Sequence, residues 1–88
     1  AVHRAGDLVV AVTAGGVPTA AARVRDMVAT RLDDRYAAAV AALARLRRST
    51  LAERGPSAWR EALDALVGDD FCAAVESGAF AERVARWG

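Results

Sequence analysis

Lysine is absent, cysteine occurs once and histidine once, and prolines number two in 88 residues. A single thiol, Cys72, excludes an internal disulfide and a cysteine-cluster zinc site. With His3 the only imidazole, a self-contained transition-metal centre has too few ligands of the right kind. No stretch reaches the roughly 20 apolar residues that a membrane-spanning helix requires, and no basic segment precedes an apolar signal core. The expectation is a soluble, cytoplasmic chain. The formal net charge is only +1, which gives no bulk attraction to nucleic acid or to a membrane surface. Walker A, Gly-x-Gly-x-x-Gly and His-Glu-x-x-His patterns are all missing, as is any Ser-His-Asp set.

What the chain does have is alanine. It supplies much of the 55% apolar content, so the core must be thin and helix-rich. The length allows one small domain. All twelve basic residues are arginine, a side chain suited to bidentate contacts with carboxylate or phosphate.

The stretch 6–28 organises the rest. Leu8 to Val12 is a short β-branched run opened by Gly6-Asp7, and it predicts a buried strand. Gly15-Gly16 predicts a tight turn open to close approach. Pro18 suits a helix's first turn, whose free N–H groups and dipole favour an anion. Ala1 to Arg4 reads as a short lead-in, with His3 partly exposed. A lone strand needs a partner, so the chain is expected to be a fragment of a longer polypeptide or to pair with a second copy.

Beyond the turn, the spacing places Ala20, Val24, Met27, Val28 and Leu32 on one face of a helix from Pro18 to Leu32, with Met27 as core filler. Asp33-Asp34 ends it and caps a long helix from Arg35 to about Arg54, whose inner face is Tyr36, Val40, Leu43, Leu46 and Thr50. Arg45, Arg47 and Arg48 form a basic cluster with a solvated-face reading. Gly55-Pro56 is the firmest boundary. Three short helices follow, capped by Ser57 and by Asp69 or Asp70, with Trp59, Leu63, Leu66, Phe71, Val75, Phe80, Val84 and Trp87 as a satellite core and Cys72 buried among them. The fold class is α+β, mostly α: one N-terminal strand and diglycine turn, then about five helices. The organisation is a strand–turn–helix segment over 1–34 and a helical segment over 35–88.

The run Gly6-Asp7-Leu8, Val9 to Val12, Thr13-Ala14-Gly15-Gly16, Val17-Pro18-Thr19 and Ala22-Arg23-Val24-Arg25 resembles a motif of the precorrin-2 dehydrogenase/sirohydrochlorin ferrochelatase family, the siroheme synthases. In those proteins it follows the dinucleotide-binding domain. Two positions depart from the pattern: Ala14 stands where a hydroxyl residue is usual, and Pro18-Thr19 where Ser-Pro is usual. The motif covers about a quarter of the chain, with a looser likeness in the helices that follow.

The resemblance implies the C-terminal part of an enzyme that oxidises precorrin-2 to sirohydrochlorin with NAD⁺, and in many members inserts Fe²⁺ as well. It implies a homodimer joined through the strand, and a tetrapyrrole-binding wall at Thr13, Gly15, Gly16 and Arg23. NAD would bind outside these residues, and the catalytic aspartate also lies upstream, so this piece alone would be inactive. Tetrapyrrole carboxylates suit such a set of amides, hydroxyl and guanidinium. Two rival expectations are a helical protein-interaction module with no enzyme parent, and a small nucleic-acid-binding domain using Arg45, Arg47 and Arg48. The absence of aromatics between those arginines argues against the second.

Overall fold

A computed structural model describes residues 1–87. The fold is α+β and mostly α. Strands β1 (Val2–Ala5) and β2 (Leu8–Ala11) are followed by α1 (Pro18–Arg31), α2 (Asp34–Glu53), α3 (Pro56–Leu66), α4 (Phe71–Ser77) and α5 (Ala79–Trp87).

The residues read as a lead-in form β1. It pairs antiparallel with β2 in the register Val2↔Ala11, His3↔Val10, Arg4↔Val9 and Ala5↔Leu8. The strand expected to be alone therefore finds its partner within the same chain. Gly6-Asp7 is a two-residue hairpin loop with glycine first, at φ +60°, the position that favours glycine in a tight hairpin. A Cβ at Gly6 would lie 3.0 Å from the Cβ of Ala37, so the loop is also pressed against α2.

The hairpin is half-buried rather than buried. His3, Ala5, Leu8 and Val10 face inward, while Val2 and Val9 are 49% and 48% exposed, because side chains alternate across a strand and only one face has a neighbour.

In α1 the expected apolar face is largely uncovered. Ala21 is its one buried residue, while Val24 and Met27 are exposed, Met27 by 65%. Met27 is thus not core filler. The spacing does mark a helix, but α1 packs mainly against β1, and of its apolar face only the C-terminal end, at Leu32, reaches the core.

The core lies instead where α2 meets the three short helices. Tyr36, Ala39, Leu46, Leu66, Ala74, Val75 and Phe80 form it, with Leu43, Trp59, Phe71 and Val84 among the half-buried side chains packed around them. The aromatic-bearing short helices are therefore the main core and not a satellite, since α2 alone offers a face long enough to bury them. Phe71 and Phe80 meet edge to face, centroids 5.1 Å apart at 87°.

The caps are partly as expected. Asp33 accepts from the Arg35 N–H at 3.0 Å and caps α2. Gly55 closes α2, its N–H donating to the Thr50 carbonyl at 3.1 Å, and is itself the residue preceding α3. Pro56 is then the first helical residue, which puts Ser57 inside α3 rather than at its cap. Asp70 precedes α4 but makes no cap bond. Its carboxylate accepts from Arg83 Nη2 at 3.0 Å instead, an ion pair outbidding a backbone amide.

Candidate functional site

The sequence-derived site residues fall at the junction of β2 and α1. Val17 N–H donates to the Ala14 carbonyl at 2.9 Å, closing a turn whose two central residues, Gly15 and Gly16, have φ of +52° and +81°. Nothing stands within 4 Å of a Cβ built on either glycine, so the turn is open to an approaching group. Thr13 is exposed ahead of it. Arg23 is exposed six positions into α1 and makes no ion pair among the described residues. No side chain caps the start of α1, and Pro18 removes one amide from its first turn. Chemically this is an exposed patch of backbone amides with a hydroxyl before it and a guanidinium on the following helix. It is not an enclosed pocket.

The other arginines divide. Arg25 pairs with its neighbour Asp26 at 3.0 Å. Arg47 and Arg48 project from α2 into solvent, while Arg45 borders an alanine-lined groove of about 440 Å³ between α2 and α5.

A second polar constellation, which the sequence reading did not assemble, is centred on Glu76 of α4. Arg31 at the end of α1 donates to its carboxylate, Nε to Oε1 at 3.0 Å and Nη2 to Oε2 at 3.2 Å. The hydroxyl of Tyr36, a residue buried at the start of α2, donates to Oε2 as well. Arg35, held by Asp33, sends Nη1 to the Glu76 main-chain carbonyl at 3.2 Å. The Tyr36 bond and the Arg31 guanidinium hold the Glu76 carboxyl below its ordinary value. Reciprocally, the bond to Glu76, with burial behind it, pushes the Tyr36 phenol up to about 12.

These partners lie 45 and 40 residues apart in sequence, beyond the reach of any spacing rule. Cys72, expected to be buried, is exposed at the margin of this cluster. His3, for which no orienting partner was evident, donates Nε2–H to the Leu32 carbonyl at 2.6 Å and ties β1 to the end of α1.

Among the described residues, no group of three or more His, Cys, Asp or Glu could hold a metal ion, and no helix is long and apolar enough to cross a membrane. No protein-family model, curated protein or solved structure matches the chain.

Proposed function

We propose that these residues are the association and tetrapyrrole-binding part of a cytoplasmic, NAD-dependent precorrin-2 dehydrogenase of the siroheme synthase kind. The observation that carries this reading is the junction itself. A short strand, an open turn with both glycines at positive φ and a helix begun by proline follow one another in the order of the family's motif. Thr13, Gly15, Gly16 and Arg23 then supply hydrogen-bond donors for the carboxylates of precorrin-2 or sirohydrochlorin.

Homodimer formation is supported by what the fold leaves uncovered. Val2 and Val9 on the hairpin, and Val17, Val24 and Met27 at and on α1, are exposed apolar side chains. A two-stranded sheet also leaves one edge of each strand without a strand partner.

The residues here do not fit a nicotinamide nucleotide. The helix after the diglycine turn packs on an antiparallel hairpin, whereas a dinucleotide fold needs a parallel sheet and a third glycine at the helix. On this reading NAD is bound by another part of a longer polypeptide, and these residues hold and orient the tetrapyrrole. Fe²⁺, where the parent inserts it, is a substrate.

The test is an anaerobic titration of the polypeptide carrying its nucleotide-binding domain. Sirohydrochlorin absorbance should shift on binding, and precorrin-2 with NAD⁺ should yield NADH. Gly16→Val should abolish the tetrapyrrole shift while the circular dichroism of the helices is kept. A folded protein with neither binding nor turnover would overturn the reading. The helical interaction module would then stand, and the uncovered face of α1 is the observation that favours it.

A further inference from the structure

Helices α2 to α5 pack on one another, whereas α1 packs chiefly on β1 and reaches their core only at its C-terminal end, through Leu32. With Ala21 its only buried residue, little apolar area secures it, and its local opening should cost far less than global unfolding. Between its C-terminal half and the body of the molecule lies a cavity of about 480 Å³, bordered by Val28, Leu32, Tyr36 and Cys72. Side chains do not fill that space. It is bridged by the charged contact of Arg31 with Glu76, 45 residues apart.

Glu76 is well placed for such a bridge. Its carboxylate is shared between Arg31 of α1 and the Tyr36 hydroxyl of α2, and its carbonyl holds Arg35. Three helices therefore meet at one residue. Tyr36 is buried at its base, while the Arg31 side chain is 73% exposed. The guanidinium contact is thus screened by solvent and open to competition from salt, whereas the phenol contact anchors the carboxylate to the body.

We propose that Glu76 is a clasp that holds α1 over this cavity, and that losing the carboxylate's charge releases α1 as a unit while α2 to α5 stay folded. The consequence reaches the other end of the helix. Fourteen residues of α1 make a lever of roughly 20 Å, and the Gly15-Gly16 turn sits at its far tip. Glu76 is in this sense a positioning residue for the turn, whatever the turn binds. His3 is the pivot, since its bond to Leu32 keeps the hinge end of α1 on the hairpin.

The test is amide hydrogen exchange on the full chain, comparing wild type with Glu76→Gln and Arg31→Ala. Arg31 is a surface side chain, so its variant removes the bridge without touching the core. In Arg31→Ala the amides of α1 should exchange about two- to fivefold faster, and in Glu76→Gln by more, while those of α3 and α5 change by less than about twofold. Raised salt should move the wild type in the same direction. Glu76→Gln should also bring the Tyr36 titration down from about 12 toward its ordinary 10, a signature that general loosening of the fold would not leave confined to one group. Unchanged α1 exchange in both variants overturns the proposal. So does equal acceleration in every helix, which would make Glu76 a contributor to overall stability and nothing more. No ligand enters either readout, so failure of the clasp and failure of the tetrapyrrole reading are distinguishable.

Discussion

Tyr36 is the only tyrosine in the chain, so its ionisation can be followed directly by tyrosinate absorbance. Its pKa is pushed up to about 12 by the Glu76 bond and by burial. A raised pKa means that the neutral phenol is favoured in the folded state. Its contribution to stability is fully present below the ordinary value near 10, and is lost as pH rises through about 12. Glu76 behaves oppositely. Its carboxyl is lowered first by Tyr36 and then by Arg31, so its contribution is present above the ordinary carboxylate range and lost as pH falls through the lowered value. The expected profile is a plateau bounded by one loss on each side, the alkaline one read from denaturant melts across pH and the acid one from faster amide exchange in α1. Both flanks should weaken together in Glu76→Gln.

Cys72 offers a second check at the same scale. Exposed in the fold, it should be alkylated by a small maleimide without denaturant, whereas the burial expected from the sequence would require unfolding first. The sequence could rank Tyr36 as an inward residue by its spacing, and did. It could not show that Glu76 would lie under the hydroxyl, because the contact depends on how α4 packs and not on any local pattern.

At the scale of the element, the strand and hairpin divide the legible from the illegible. Leu8 to Val12 is legible as a β-branched run between turn signals, and Leu8–Ala11 of it form β2. Its partner is less plain: the two residues Gly6-Asp7 between the two runs are a hairpin signal, but His3 and Arg4 make Val2 to Ala5 polar. Those two side chains sit on opposite faces, as a strand requires.

The junction of α2 and α3 was legible for a different reason. Gly55 has φ +89° and ψ −178°, a region open essentially to glycine alone. Gly55→Val should therefore destabilise the protein by about 1–3 kcal/mol, read from chemical denaturation, although no atom lies within 4 Å of the added Cβ. Strain in the backbone, and not crowding, sets that cost. For α1 the periodicity correctly identified a helix and its apolar stripe. Whether a stripe is covered depends on what the fold brings to it, and here it brings mainly β1, with the core reached only at Leu32.

For the molecule as a whole, stability rests on one cluster, with Phe80 and Leu66 each 2% exposed. Phe80→Ala removes the ring that meets Phe71 and should cost about 3–5 kcal/mol. Against the roughly 4–13 kcal/mol available to a domain of this size, the loss would appear as a large fall in melting temperature. Met27→Glu, on an already exposed site, should leave the monomer's stability nearly unchanged. The same variant should abolish self-association measured by sedimentation if the exposed apolar residues of α1 are the contact between copies.

The sequence by itself determined the local events: a predominantly helical chain from its alanine content, breaks at Gly15-Gly16 and Gly55-Pro56, and an open amide turn ahead of α1. These follow from backbone freedom and side-chain spacing, which act over a few residues. The tertiary structure alone decided that the short helices and α2 make the core, and that α1 lies at its margin. It also decided that Glu76 meets Arg31 and Tyr36. Each of these depends on surfaces from distant segments competing for burial or for a charged partner, and no single segment carries that information.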